Sequence, residues 1–525
     1  MKILMTKKFD TMKMKIFLSS LIIGIVLTGC SDFLNQNPES FTSSSTFYKN
    51  KSQIDEALNG AYSGLQTLYG ASLGGNAPSS AFWAMTEERS DNTTFEYNNA
   101  NRGFLQREDI DYFLVTPDNN FTQGVWQDIY SGIEQCNTIL DRIDNVDLSS
   151  ADHDQIVGQT EFIRALYYFN LVRLWGNVPL LTKAITSPDQ TDKIEQAKPS
   201  AVYQQIISDA KDAASKLPAT WSASNAGRVT KGAAHTLLGE VYMTMDQPGN
   251  TDNYNKAIAE FKKVIQSGTY SLMSNYSALW DPQNKNNSES VFEIQYSSST
   301  QASYSSYIYE FAPLFSGYTT IGSFSPSSGD GRNIPTRNML GTYENGDQRK
   351  DASIAWFVDP DVNTNPPYYE VQHDSLAYVQ KYAAKPSEQF KQNVDFYVYR
   401  YAQVLLWYAE ALNEVGKTSQ AYSYVNKVRK RAGLNGLTTG MSQSQFRTAV
   451  YHEERVESAF EDHRWFQLIR TGRAVNVMNA NGTEQKTYQT WLSPASYDVQ
   501  KYKLLYPLPI HDTQLNANLK QNPGW

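Results

Sequence analysis

The chain is poor in cysteine, in basic charge and in long apolar runs. Two cysteines, Cys30 and Cys136, stand among 525 residues. A disulfide framework is therefore excluded, and the fold must be held by its core. Lys and Arg number 46 against 54 Asp and Glu, a formal net charge of −8, so there is no electrostatic footprint for nucleic acid. After residue 30 no stretch approaches the roughly 20 apolar residues of a membrane-crossing helix. The six histidines, His153, His235, His373, His452, His463 and His511, are scattered without metal-ligand spacing. Asp359, Asp361, Asn363 and Asn365 alternate like calcium-loop ligands. They lack the Gly and distal Glu of an EF-hand and are interrupted by Pro360 and Pro366. Phosphate-loop, nucleophile-elbow and H-E-x-x-H motifs are absent. No metal and no cofactor is expected.

Aromatic and amide side chains are plentiful, with 34 Tyr and 10 Trp beside many Asn, Ser and Gln. Flat amphipathic rings next to amides and hydroxyls suit uncharged polyhydroxylated ligands, although most such rings fill a core.

The amino terminus carries Lys2, Lys7, Lys8, Lys13 and Lys15, then an apolar run from Ile16 to Leu27, then Thr28-Gly29-Cys30. A basic start, a short apolar segment and small residues before a cut site spell a secretory signal. Leu-Thr-Gly-Cys resembles a bacterial lipobox, which implies cleavage after residue 29 and acylation of Cys30. Residues 1–29 are then a lipoprotein signal peptide, and 30–48 a lipidated, Ser-rich tether. Several acyl chains, at about 0.8 kcal/mol per buried methylene, make a stable anchor. With Cys30 acylated, Cys136 has no partner.

Helical period dominates the chain beyond the tether. Ile54, Leu58, Ala61, Tyr62 and Leu65 recur at 3–4 spacing. Helices are predicted over Phe121–Ile143, Asp154–Trp175 and Pro199–Leu217, the second stopped by Gly176-Asn177-Val178-Pro179. Cys136 falls on the apolar stripe of the first. Lys231–Met245 with Asn253–Ser267, and Tyr397–Gly416 with Ser419–Ala432, resemble tetratricopeptide helix pairs. Small residues at Gly239 and Ala257 let the first pair approach closely. Phe446 to Arg470 reads as one further helix. The unit spacing is irregular, so this is not a pure solenoid. Residues 70–120 and 284–395 lack sustained period. Phe311, Phe315, Trp356 and Phe357 give the second stretch too much apolar surface for a free coil. A helical frame bearing a long irregular excursion places recognition on the excursion.

Several segments resemble the SusD/RagB family of nutrient-binding lipoproteins of Bacteroidetes. Ser31-Asp32-Phe33-Leu34 is similar to its mature start. Glu161 to Phe169 with Leu174-Trp175-Gly176-Asn177-Val178-Pro179-Leu180 is similar to its F-x-R-A-x-x-Y-F…Y-G-x-V-P-L segment. Arg400-Tyr401-Ala402, Glu410 to Glu414 and Asn426 to Leu434 match its A-E-A…N-x-V-R-x-R-A-G-L pair. Glu453-Glu454-Arg455 to Gly472 and Pro507-Leu508-Pro509 with Asn518 to Trp525 resemble its last two motifs. Asp462 stands where the family usually has Gly, and Gln467 where it usually has Asp. Glu454, Glu457, Arg464 and Arg470 are expected to pair in that buried turn, Asp462 offsetting the carboxylate missing at Gln467. Asn426, Arg429 and Arg431 are expected to fix helix ends rather than touch ligand.

The resemblance implies a mostly α fold: tetratricopeptide-like helix pairs form a superhelical framework with a large loop-rich region packed on it. The framework would span mainly 49–68, 121–283 and 396–480 of a single domain over 49–525, with variable ligand-binding regions at 70–120 and 284–395. It also implies a lipid-anchored protein on the outer face of the outer membrane. Such a protein captures a glycan, or another nutrient such as a peptide, and delivers it to a SusC-like TonB-dependent transporter without catalysis.

Ligand contacts should be aromatics in polar loops near Asp, Asn or Arg. Trp83 is the first candidate, with Glu88, Asp91 and Asn92 beside it; a core role for Trp83 stays open. Tyr304, Tyr307 and Tyr309 alternate like a strand whose face either stacks sugar or packs inward. Arg332, in a Gly-flanked loop, and Trp356 complete the set. Two other classes remain: a helical scaffold lipoprotein that binds only protein, and a lipid-anchored glycosidase using Glu87 and Glu88.

Overall fold

The structure, a computed structural model, describes residues 47–71, 80–97, 102–245, 251–299, 303–314, 316–322, 329–358 and 375–525. The signal segment, Cys30, most of the tether, Phe315 and the Asp359–Asn365 alternation lie outside the described residues. No helix among the described residues is long and apolar enough to cross a membrane.

The chain is mostly helical, and its long helices stack in sequence order. α1 is Lys51–Tyr69, α2 Asn120–Arg142 and α3 Ser150–Trp175. α4 is Pro199–Lys216, α5 Lys231–Met245 and α6 Asp252–Gln266. α7 is Tyr401–Glu414, α8 Thr418–Arg431 and α9 Gln443–Glu457. Each packs on the next from α1 to α8, and α7 also carries α9, so neighbours in sequence are neighbours in space.

Local chemistry sets the ends. Ser149 accepts the N–H of Asp152 at 3.1 Å and opens α3. Gly176, at φ 74°, closes it in a conformation that disfavours any side chain. α3 is enclosed on nearly all sides from Ile156 onward, because α2 and α4 cover it from both directions. The close approach of α5 and α6 depends on Gly239, where a Cβ would lie 2.2 Å from the Phe261 ring. Cys136 is fully buried on α2.

The irregular regions are ordered by short antiparallel ribbons. Thr93–Thr94 pairs Ile334–Pro335, Ser290–Ile294 pairs Phe396–Arg400, and Ile354–Phe357 pairs Leu376–Val379. Residues 397–400, expected to begin a helix, are the last of these strands before α7. Tyr304–Tyr309 is not a strand face: Tyr307–Phe311 is a short helix.

The predicted helix Phe446–Arg470 is broken. α9 ends at Glu457 and α10, Arg464–Arg470, starts afresh. Between them Phe460 and Asp462 stand at φ 69° and 61°. Glu87 causes this turn by accepting the N–H of Phe460 at 2.8 Å and of Asp462 at 3.1 Å.

A buried ionic core joins framework to excursion. Glu457 accepts from Arg400 at 2.7 Å, from Arg349 at 3.1 Å and from Arg431. Glu461 takes Arg400 at 2.7 Å and Lys381 at 2.5 Å, and Glu453 takes Arg349 at 2.6 Å and Arg429 at 2.8 Å. Burial pushes Glu457 upward, but Arg431, Arg400 and Arg349 hold it well below the ordinary carboxylate range. Asn426 accepts the N–H of Leu437 at 2.8 Å and Arg429 donates to the Asn435 carbonyl at 2.8 Å, both fixing the end of α8.

The expected pairing around Gln467 is corrected in two respects. Arg464 pairs with Asp91 at 2.7 Å rather than with Glu454 or Glu457, whereas Arg470 meets Glu454 at 3.5 Å as expected and pairs more closely with Glu410. Asp462 offsets nothing: burial and Glu87 raise its carboxyl well above the ordinary value, and its Oδ2 has no hydrogen-bond partner among the described residues. A left-handed backbone at a non-glycine residue costs about 1–2 kcal/mol. Asp462→Gly is therefore expected to raise unfolding stability by about 1 kcal/mol. Thermal or urea unfolding reads this, and equal or lower stability contradicts the strain.

Candidate functional site

The ribbons meet around an open groove of ≈310 Å³. Its floor is the Thr94–Tyr97 segment against Ile334–Pro335. One wall is the Ile354–Phe357 ribbon, where side chains alternate sides: Phe357 points into the core and Trp356 points out, 52% exposed. The other wall follows a helix, Ala474–Gln485, and carries Tyr488, Gln489 and Trp491.

The groove's rings are held in place. Tyr97 stacks on Trp491 with centroids 4.3 Å apart and planes 12° from parallel. Trp491 donates its indole N–H to the Tyr112 hydroxyl at 3.1 Å. The Arg337 guanidinium lies 3.9 Å over the Tyr488 ring, and the Tyr488 hydroxyl donates to Gln485. Gln489, nearly buried, donates to Gln485 at 2.8 Å and keeps its carbonyl oxygen without a partner among the described residues. Flat faces and one guanidinium fork fit a ring-shaped, hydroxyl-rich molecule.

Trp356 is the one nominated residue on this groove. Trp83 is 3% exposed, edge-on to Phe311 at 5.1 Å and near Arg107, so its ring presents no face. Glu88 is buried, accepts the N–H of Asn333 at 2.9 Å and is raised by burial. Asp91 accepts Arg464 at 2.7 Å and Arg455 at 3.0 Å. Against the upward push of burial, these guanidinium groups hold it well below its ordinary range. Asn92 donates to Glu87 at 2.8 Å and accepts from Arg455 at 2.8 Å. Tyr304, Tyr307 and Tyr309 are buried. The Tyr307 hydroxyl donates to the Tyr69 carbonyl at 2.8 Å, and the Tyr309 ring packs 4.7 Å from Phe390. Arg332 is buried beside Glu88, 4.7 Å over the Phe95 ring. These side chains stabilise the loops that shape the groove and do not line it.

Tyr97, Arg337, Tyr488 and Trp491 were not nominated. Trp491 sits in the polar run Thr487-Tyr488-Gln489-Thr490-Trp491, which has the polar setting but no Asp, Asn or Arg beside the ring.

Two acids considered for hydrolysis are also interior. Glu87 accepts three N–H groups, from Asn92, Phe460 and Asp462. Burial drives it up to about 7 against those bonds. Neither Glu87 nor Glu88 opens on the groove.

Two family models match in succession: "Starch-binding associating with outer membrane" over residues 32–243, and "SusD family" over 288–525. A SusD-like protein, P2, of Formosa agariphila is 26% identical over 96% of this chain and 98% of its own length. Its P25 relative from the same organism is 24% identical, covering 94% and 95%. A solved laminarin-binding SusD-like protein superposes with a TM-score of 0.73 at 25% identity, over 91% of this chain and all of its own. Surface glycan-binding protein A of Bacteroides thetaiotaomicron shares the fold with a TM-score of 0.73 at 22% identity, over 91% of this chain and all of its own.

Removing the Trp83 ring is expected to cost about 3–5 kcal/mol of stability, whereas Trp356→Ala stays within about 0.5 kcal/mol. Equal effects in urea unfolding would contradict the placement of the two rings. Glu87 adds a pH dependence. Its folded-state pKa exceeds the unfolded value, so its contribution is complete near pH 4.5 and is lost as pH rises through about 7. Glu87→Gln is expected to flatten the fall in stability across that window, and an unchanged slope contradicts it.

Proposed function

Because the chain belongs to the SusD/RagB family, whose members bind carbohydrate in association with the outer membrane, we propose that it is a non-catalytic surface lipoprotein that holds an oligosaccharide in the Tyr97–Trp491 groove. One observation carries this reading: stacked and half-open rings, Trp491 on Tyr97 and Trp356 on the facing wall, line a groove wide enough for a sugar ring.

The physical chemistry is direct. Pyranose rings have C–H faces that lie flat on aromatic planes, while their hydroxyls demand directed partners. Stacking on one ring contributes about 1–3 kcal/mol on the scale measured for nucleobases. Arg337, exposed on the groove, supplies donors for hydroxyls. Such an interface binds reversibly, which delivery requires. Glu87 and Glu88, closed in the interior, support capture without hydrolysis.

In this reading acylated Cys30 anchors the protein, and the cargo passes to a SusC-like TonB-dependent transporter over whose mouth the protein sits as a hinged lid. The amino-terminal motif and the family resemblance support both elements. The cargo class, a glycan, rests on the groove.

Calorimetry or affinity electrophoresis against a panel of polysaccharides tests the proposal. Wild type is expected to bind at least one glycan, and Trp491→Ala to weaken that binding about tenfold or more. An affinity left intact in Trp491→Ala would exclude the groove.

A further inference from the structure

A second cavity opens one residue along from the groove wall. Asn338, next to Arg337, accepts from Arg455 at 2.9 Å, and Arg455 lines a cavity of ≈530 Å³ between α6, α7, α9 and α10. Its walls carry five arginines: Arg447, Arg455, Arg464, Arg470 and Arg473.

These charges are not balanced. Arg447 is matched by Glu414 at 2.6 Å, and Arg470 by Glu410. Arg464 and Arg455 share one carboxylate, Asp91. Arg473 has no ion pair among the described residues, and its guanidinium lies 5.0 Å from the centroid of the Tyr451 ring. Glu454 lies 3.5 Å from Arg470, which Glu410 already matches, and does not reach Arg473. Burial and the neighbouring Glu410 push its carboxyl well above the ordinary range, against the pull of Arg470. His452, on the rim, is lowered by burial and adds no charge near neutrality. Five guanidinium groups thus face four carboxylates, Glu414, Glu410, Asp91 and Glu454. This surplus of positive charge stands in a protein of net charge −8.

We propose that this cleft receives an oxyanion, a carboxylate or sulfate substituent of the bound glycan, with Arg473 as the guanidinium that takes it and Arg455 as its neighbour. This rests on the Tyr97–Trp491 groove being a glycan site and narrows the cargo to acidic glycans. The planar fork of Arg matches the paired oxygens of either group. The cavity exceeds what a lone inorganic ion needs, and Ser444, Thr448 and Thr471 line it with hydroxyls suited to a sugar. Its adjacency to Arg337 lets one chain lie in the groove and turn an acidic residue into the cleft.

Calorimetry with polygalacturonate, a sulfated galactan, laminarin and poly-glutamate separates the possibilities, using wild type, Arg473→Ala, Arg473→Lys and Trp491→Ala. An acidic polysaccharide is expected to bind, to weaken with added salt, and to lose about tenfold or more in Arg473→Ala, the scale of a hydrogen bond to a charged group. Arg473→Lys should recover part of that loss. Whichever of polygalacturonate and the galactan binds identifies the oxyanion. Acidic-glycan binding indifferent to Arg473→Ala, or binding of laminarin alone, overturns this inference while leaving the groove intact. Arg473-dependent capture of poly-glutamate without any acidic glycan also overturns it, in favour of a protein segment. Glycan binding that needs Arg473 but ignores Trp491→Ala supports the cleft and refutes the groove.

Discussion

A guanidinium taken out of water must find a carboxylate, and this requirement organises the molecule. Arg349, Arg400 and Lys381 are wholly buried, and Glu453 and Glu457 of α9 and Glu461 in the turn after it receive them. Removing one partner of such a pair typically costs 3–5 kcal/mol, because the other charge is left stranded. Hydrophobic burial, with buried pairs such as Arg164–Asp209 and Arg173–Glu240, stabilises the helix stack; the ionic core sets where the irregular segments attach to it.

The consequence reaches the groove directly. Arg349 stands just before the strand Ile354–Phe357, and Lys381 just after its partner Leu376–Val379. Both strands of the ribbon that presents Trp356 are therefore tied, at the end where Ile354 faces Val379, to α9 and the turn after it. Asp91 does the same for the other side. Held by Arg464 and Arg455, it fixes the start of the segment that runs through Thr94 to Tyr97. A loop region so clamped keeps its exposed rings in register without burying them, which is what reversible capture of a stiff, hydroxyl-rich chain requires.

The helical framework was legible because its signals are local. Ser149, Gly176 and Gly239 act within one turn or one helix contact, and the 3.6-residue stripes report burial reliably. The break at Phe460–Asp462 was not legible, since it is made by Glu87, 373 and 375 residues away. The same distance effect hid the burial of most nominated residues. Trp83, Asp91 and Arg332 look like loop residues along the chain, but contacts from remote segments enclose them. Trp356, also nominated, stays exposed on the groove wall. Trp491 was overlooked although its polar setting was visible. Pattern finds which residues suit a ligand; only tertiary enclosure decides which of them meet one.

The most direct measurement is a crystal structure of the protein with an oligosaccharide cut from whichever polysaccharide it binds. A sugar ring is expected to lie flat within van der Waals distance of Trp491 or Trp356, with its hydroxyls near Arg337. A ligand seated elsewhere, with the Tyr97–Trp491 groove empty, would contradict capture by these rings.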